Sequence, residues 1–206
     1  IHCTLSPMAT ESGRFACSRP NLQQVPSQHT APGFRDCFRA PPGHVLIVAD
    51  YAQIELRVAA QLAPDEHMRQ LFREGRDPHR AMAAAMTGKP EAEVTGHDRK
   101  LAKAINFGFL FGMGATRFAQ YAENSYGLSL SLEQAQAAKE DFHRMFPGIA
   151  AWHERTKRLS KSRHEVVVRT ATGRVKRFPP QQVSFSAALN IPVQGTAAEG
   201  FKYALI

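Results

Sequence analysis

An apolar run that ends in a carboxylate, HVLIVAD at residues 44–50, is followed after Tyr51 by a segment with helical spacing, AQIELRVAAQLA. A short run rich in branched apolar residues predicts a buried strand, whereas apolar residues at Ile54, Val58 and Leu62 predict a helix. A chain that contains this junction is neither all helical nor all β. The sequence therefore predicts an α+β fold in which a strand delivers Asp50 to a strand-to-helix junction.

The other local signals fit this fold class. Asp77, Thr95 and Ser131 are each placed as the N-cap of a helix, which predicts a largely helical middle of the chain. The segment EVVVRTATGRVKRFP predicts a β-hairpin that turns near Gly173, and SAALNIPVQGTAAEGF predicts a return to helix. The order is therefore strand, helical block, hairpin and helix.

The composition excludes several classes of protein. The 206 residues are 43% hydrophobic and 21% charged, which is typical of a folded domain and not of a disordered tail. No apolar run approaches the roughly 18 residues of a membrane span, so we expect no membrane segment and a cytoplasmic location. Three cysteines without C-x-x-C spacing predict reduced thiols. Because the chain starts with Ile1 and stops within a helical pattern, we expect a fragment.

The positive charge is concentrated in one segment. Residues 154–177 contain nine Lys or Arg and two Glu, a net charge of +7 out of +8 for the whole chain. A solvated helix face is one interpretation of such a run. A track for a nucleic-acid backbone is the other, because the charge continues from a helical pattern into the predicted hairpin.

The segment RKLAKAINFGFLFGMG, residues 99–114, combines cations, aromatic rings and glycines. Arg99, Lys103, Phe107 and Phe111 are spaced by four and so form one stripe along a helix. Cations near the helix N-terminus followed by aromatic surface match a triphosphate followed by a sugar and base. Solvated cations and core phenylalanines are the alternative, and the stripe alone leaves both open.

Four motifs together resemble those of family A DNA polymerases. RKLAKAINFGFLFGMG is similar to the helix that closes over the incoming nucleotide, and VADYAQIELRVAAQL is similar to the first catalytic motif. GRFACSRPNLQQVP resembles the primer and template contact segment, and LNIPVQGTAAEGF resembles the helix near the template base. Their order is that of the family, which is more specific than any single motif.

The resemblance implies a polymerase palm, an antiparallel sheet platform, with a largely helical fingers insertion. Residues 1–60 would be the palm part with the first catalytic motif, 61–165 the fingers, and 166–206 the hairpin and return helix into the palm. The family's second metal-binding aspartate lies in a His-Asp-Glu type motif, and HDE does not occur in this sequence. We therefore expect the chain by itself to have little or no turnover.

The resemblance implies a metal site at Asp50. Its carboxylate and the backbone carbonyl of Tyr51 would hold Mg²⁺, with two ions in the complete enzyme. Hard oxygen ligands suit Mg²⁺, and two such ions can clamp the attacking and leaving oxygens of a phosphoryl transfer. In isolation, an Asp at such a junction is more commonly a helix cap.

The resemblance also assigns the phosphate contacts. Lys103 would contact the triphosphate and protonate the pyrophosphate leaving group, while Arg99 and His79 would hold phosphate oxygens. The local sequence RDPHRA alone would instead predict that His79 is a surface histidine.

Three further positions would recognise the sugar and the base pair. Glu55 matches the steric gate that excludes a 2′-hydroxyl, and Phe107 would lie against the deoxyribose, where Phe disfavours dideoxy substrates. Phe111 stands where the family often has Tyr, so stacking is kept and a hydroxyl contact is lost.

For the DNA, the resemblance implies that Arg14, Asn190 and Gln194 contact the minor-groove side of the primer-template. Ser186 stands where relatives often have Arg, so one DNA contact would be missing.

The expected function is template-directed DNA synthesis from dNTPs by a monomeric enzyme with primer-template DNA as its partner. Two alternatives remain at this point. A single-subunit RNA polymerase shares the spacing of cations and aromatic rings, although Glu55 argues against it, because relatives that make RNA have a small residue there. A non-catalytic DNA-binding remnant of a phage polymerase gene is the other.

Overall fold

The computed structural model describes residues 1–26, 28 and 30–206 and confirms the α+β class. Its helices are α1 Ile54–Leu62, α2 Glu66–Arg73, α3 Pro78–Thr87, α4 Gly96–Leu110, α5 Ala115–Tyr126, α6 Leu132–Met145, α7 Pro147–Leu159 and α8 Phe185–Tyr203. The strands form two separate antiparallel pairs, β1 Thr4–Ser6 with β2 Ala16–Ser18, and β3 Val166–Arg169 with β4 Val175–Phe178. The predicted hairpin is confirmed, with Val167 opposite Arg177.

The three predicted helix N-caps are confirmed. Asp77 accepts a hydrogen bond from the backbone N–H of His79 at 2.9 Å, at the start of α3. Thr95 and Ser131 each form a complete capping box, at the starts of α4 and α6. These positions were predictable because each cap depends only on residues within one helical turn.

One buried carboxylate ties two distant helices together. Asp65 is fully buried, and its Oδ1 accepts from the backbone N–H of Met68 at 2.8 Å, which caps α2. Its Oδ2 accepts from the N–H groups of Gly148 at 2.7 Å and Ile149 at 3.2 Å, in the first turn of α7. A single side chain therefore satisfies orphan donors at two helix N-termini.

The hydrophobic core is built around α4. Phe109 is fully buried, and its ring centroid lies 4.3 Å from that of Phe118 on α5. A Cβ atom at Gly108 would lie 2.6 Å from the ring of Phe118, so only glycine permits this close approach of α5. The glycine at 108 therefore serves helix packing.

The predicted strand at residues 44–50 is wrong. The structure has no strand there, and the segment is exposed, with Val45 80% and Val48 93% accessible. A strand requires a neighbour that accepts its backbone hydrogen bonds and covers its side chains. No described residue pairs with this segment, so Asp50 follows an extended, exposed stretch and not a buried strand.

The hairpin is fixed to α8 close to its turn. The backbone N–H of Ala171 donates to Thr196 Oγ1 at 2.9 Å, and Arg174 Nε donates to Glu199 at 3.0 Å. Cys3, Cys17 and Cys37 are free thiols in the structure. Among the described residues, no helix is long and apolar enough to cross a membrane.

Candidate functional site

A cleft of about 820 Å³ opens between the start of α1, the C-terminal part of α4 and the C-terminal half of α8. Its lining includes six residues that the sequence singled out: Arg14, Asp50, Tyr51, Glu55, Phe107 and Gln194. These residues come from four separate parts of the chain. The fold thus brings together positions that are more than a hundred residues apart in sequence.

The metal candidate lies at the mouth of this cleft. Asp50 is exposed and has no hydrogen-bond partner among the described residues, and Tyr51 packs its ring against Phe201 of α8 at 6.5 Å between centroids. The described residues contain no group of three or more His, Cys, Asp or Glu able to hold a metal ion. Mg²⁺ commonly takes one or two carboxylates and completes its shell with water and substrate phosphates. A free carboxylate beside a backbone carbonyl fits that pattern.

Glu55 lies in the first turn of α1, half-buried in the cleft wall. Burial raises the pKa of its carboxyl above the usual value, and the positive charge of Arg14 acts in the opposite direction. Arg14 and Glu55 therefore lie close enough to interact across the cleft. Gln23, Gln53 and Phe201 also line it, and sequence reasoning did not single them out.

Asp77 does more than cap α3. Its Oδ2 accepts from Arg99 Nε at 2.7 Å, and its Oδ1 accepts from Gln53 Nε2 at 3.2 Å. Burial alone would raise the pKa of Asp77, but hydrogen bonds from the His79 N–H and from Arg99 hold it below its usual value. Asp77 thus joins α4 to the residue that precedes α1. The capping signal located this side chain but gave no sign of these two long-range contacts.

His79 is buried, at 2% exposure, contrary to the surface histidine that its segment alone suggests. Burial lowers its pKa to about 4, and the charges of Arg99 and Lys103 act in the same direction. His79 is therefore neutral at neutral pH. Its contribution to anion binding is that of a hydrogen-bond donor and not of a cation.

The stripe on α4 divides into two parts. Lys103 is exposed, and Phe107 lines the cleft with its ring 5.6 Å from that of His79. Phe111 is the C-cap of α4 and packs against the helical core, outside the residues that line the cleft. Arg99 and Lys103 are not among the residues that line the cleft, but their charges act on His79, whose ring lies beside that of Phe107. The second ring, Phe111, contributes to the core.

The two α8 candidates differ in their surroundings. Gln194 lines the cleft and also a neighbouring groove that contains Arg14, Asn21 and Gln23. Asn190 lines neither, and its Oδ1 is enclosed without a hydrogen-bond partner among the described residues. The geometry thus places Gln194 with Arg14 and sets Asn190 apart.

The basic segment 154–177 retains exposed positive charge. Four of its cations form ion pairs, namely Lys157, Arg174, Lys176 and Arg177. The other five are exposed and form no ion pair with the described residues: Arg155, Arg158, Lys161, Arg163 and Arg169. A surface with unpaired cations is suited to a polyanion.

A second cleft, of about 490 Å³, is lined by Arg57, Arg69 and Arg73. Its arginines are already engaged by the protein. Arg57 stacks on Phe72 at 4.4 Å, Arg69 donates to backbone carbonyls at the end of α1, and Arg73 pairs with Glu66. The first cleft, with its free carboxylate, is therefore the better candidate.

Sequence comparison finds known proteins that are similar to this chain. A family model described as DNA polymerase family A matches residues 1–206. DNA polymerase I of Aquifex aeolicus is 39% identical over 195 residues, which are 95% of this chain and 32% of that protein. Thermostable DNA polymerase I of Thermus aquaticus is 39% identical over 216 positions, covering the whole chain and 25% of that protein. The chain thus spans about a quarter to a third of these relatives.

A solved structure shows the same fold. The polymerase domain of Pol1 from M. smegmatis, in complex with a DNA primer-template and dNTP, superposes with a TM-score of 0.83 at 29% sequence identity. The match covers 100% of this chain and 36% of that chain.

Proposed function

Because the chain belongs to DNA polymerase family A, we propose that the complete protein carries out template-directed DNA synthesis. It would transfer a deoxynucleoside monophosphate from a dNTP to the 3′-hydroxyl of a primer. The observation that carries this proposal is the cleft, which combines a free carboxylate at Asp50, a half-buried Glu55 and the ring of Phe107. The helix that supplies Phe107 also supplies the cations for a triphosphate.

Asp50 and the Tyr51 carbonyl would hold Mg²⁺, which stabilises the charge that develops on the attacking and leaving oxygens. Two ions are expected, together with a further carboxylate beyond the cleft residues described above. Phosphoryl transfer requires little covalent help from the protein. The side chains of this chain therefore act by positioning and by electrostatic stabilisation.

The triphosphate would lie along the N-terminal half of α4. Arg99 is held through Nε by Asp77, so both terminal nitrogens of its guanidinium are free of described partners and can donate to phosphate oxygens. Lys103 is one turn further on and exposed, and it would bind phosphate and donate a proton to the departing pyrophosphate. His79 would add a neutral N–H donor.

The sugar would lie between α1 and α4. Glu55 and Phe107 both line the cleft, so Glu55 would fill the space of a 2′-hydroxyl while Phe107 lies against the opposite edge of the deoxyribose. Arg14 and Gln194, which join the cleft to the neighbouring groove, would contact the minor-groove side of the primer-template end, with Asn190 on the same helix. The exposed cations of segment 154–177 would follow the nucleic-acid backbone.

Lys103→Ala tests the proposal. The kcat/KM for dNTP incorporation should fall by several powers of ten, where each factor of ten corresponds to about 1.4 kcal/mol of transition-state stabilisation. Lys100→Ala is the matched control, because Lys100 is an exposed lysine on the same helix that lies outside the stripe. Equal constants for the Lys103 variant and the parent enzyme would contradict the placement of the triphosphate along α4 and would leave Lys103 as a solvated lysine.

A further inference from the structure

The side chain of Asn106 forms an unusual buried contact behind the proposed phosphate site. It lies in α4 with 0% exposure. Its Nδ2 lies 3.2 Å from the carbonyl oxygen of Pro78 and 2.9 Å from Nδ1 of His79. An amide nitrogen has two hydrogens, so it can serve both neighbours at once.

These contacts fix the orientation of the amide. A backbone carbonyl can only accept, so the atom that faces Pro78 must be the NH₂ group. In the reversed orientation, Oδ1 would face that carbonyl oxygen and two acceptors would be in contact. Asn106 Oδ1 is enclosed and has no partner among the described residues, so the side chain acts here only as a donor.

The amide orientation in turn determines the tautomer of His79. Because Nδ1 faces a donor, it must be the acceptor nitrogen of a neutral ring, and the hydrogen is then on Nε2. Burial lowers the pKa of His79 to about 4, which keeps the ring neutral at neutral pH. A neutral imidazole ring has a single N–H group, so the position of that group on Nδ1 or Nε2 decides what the ring can bind.

The Nε2 atom is on the side that solvent can reach. It has no hydrogen-bond partner among the described residues. The described side-chain atoms that are both fully enclosed and unpaired are the Oδ1 atoms of Asn106 and Asn190, so Nε2 of His79 is not fully enclosed. The 2% of His79 that is exposed therefore includes Nε2. The negative charge of Asp77 and the positive charges of Arg99 and Lys103 all act on this ring, so an anion held by the two cations would also lie near it.

We propose that Asn106 is a positioning residue that holds His79 in its Nε2–H tautomer, so that His79 donates to a phosphate oxygen of the incoming nucleotide. This assignment of the ligand rests on the function proposed above, whereas the tautomer itself does not. The other tautomer would present a lone pair to an anionic oxygen. The loss of one hydrogen bond to a charged group corresponds to about a 10- to 100-fold rise in KM.

The first test needs no substitution at Asn106. The complete polymerase is labelled with ¹⁵N-histidine, and long-range ¹H–¹⁵N correlation at about pH 7.5 identifies which ring nitrogen of His79 is protonated. His79→Gln assigns the signal. The proposal requires a protonated Nε2 in the nucleotide-free enzyme, and a protonated Nδ1 would overturn it.

The second test changes the donor into an acceptor. Asn106→Asp places a carboxylate against Nδ1, which should move the hydrogen to Nδ1 and raise the KM for dNTP about 10- to 100-fold with little change in kcat. Lowering the pH from about 8 to 6 should restore KM, because the carboxylate raises the pKa of His79 and the imidazolium again has an Nε2–H group. Asn106→Leu, which has no donor and no charge, should raise KM without this recovery.

Asn124→Asp is the matched control, because Asn124 is an exposed residue of α5. The KM of this variant for dNTP should equal that of the parent enzyme. An unchanged KM in both Asn106 variants, in an enzyme that Lys103→Ala impairs, would overturn the positioning role and leave the proposed function intact. If Lys103→Ala is also without effect, both proposals are wrong.

Discussion

Acidification should destabilise this chain through two buried histidines. His79 and His153 are 2% and 5% exposed, and burial lowers the pKa of each from 6.5 to about 4. Both pKa values are lower in the folded chain, so the unfolded state takes up protons first as the pH falls. Stability is therefore complete above about pH 6.5 and is lost progressively towards pH 4.

The magnitude follows from proton linkage. With a pKa of 6.5 in the unfolded state and about 4 in the folded state, one histidine lowers the free energy of unfolding by about 2 kcal/mol between about pH 7.5 and 5. The two histidines together would remove about 4 kcal/mol. Burial also lowers the pKa of His143, which adds to the loss in this window, whereas carboxyl groups whose pKa is lowered, such as Asp77 and Glu199, titrate at lower pH.

Urea unfolding of the 206-residue chain, followed by fluorescence of its single tryptophan, measures this loss. His153 is the better position to vary, because its Nε2 donates to the Leu110 carbonyl at 2.9 Å and a Gln amide can replace that donor. His153→Gln should reduce the acid-induced loss by about 2 kcal/mol, whereas His97→Gln, at an exposed site, should leave it unchanged. The full loss in the His153 variant would refute the reasoning.

Two predictions concern selection of the sugar by the complete enzyme. Glu55→Ala should increase ribonucleotide incorporation relative to deoxyribonucleotide, because it opens the space of a 2′-hydroxyl. Competition between rNTP and dNTP in primer extension measures this ratio. An unchanged ratio would remove Glu55 from the sugar site. Phe107→Tyr should reduce discrimination against dideoxynucleotides by at least about tenfold, because a phenol hydroxyl supplies a hydrogen bond of about 1.5–3 kcal/mol to the triphosphate. Here the ddNTP to dNTP ratio is measured, and no change would mean that Phe107 does not face the sugar.

Local signals predicted three helix starts and the hairpin correctly, because a cap or a turn is decided within a few residues. The N-caps at Asp77, Thr95 and Ser131 are examples. The strand at residues 44–50 was predicted from apolar character alone and is wrong, because a strand also needs a neighbour, and no described residue pairs with this segment.

The candidate site was partly predictable for a similar reason. Spacing by four placed Arg99, Lys103 and Phe107 on one helix face, and the structure keeps Phe107 in the cleft. The burial of His79 and its contact with Asn106 depend on how α3 packs on α4, across 27 residues of sequence, and no local pattern reports that packing. The packing of Phe111, the second phenylalanine of the stripe, against the core also depends on tertiary contacts that the spacing does not report.

Asp50→Ala tests whether the cleft is the site of phosphoryl transfer. Single-turnover primer extension and primer-template binding are measured side by side in the complete protein. Extension should be abolished while DNA binding stays close to that of the parent, because the carboxylate would hold metal and not DNA. Asp36→Ala, at another exposed aspartate outside the cleft, should extend normally. Near-normal extension by the Asp50 variant would show that Asp50 does not have the catalytic role proposed for it.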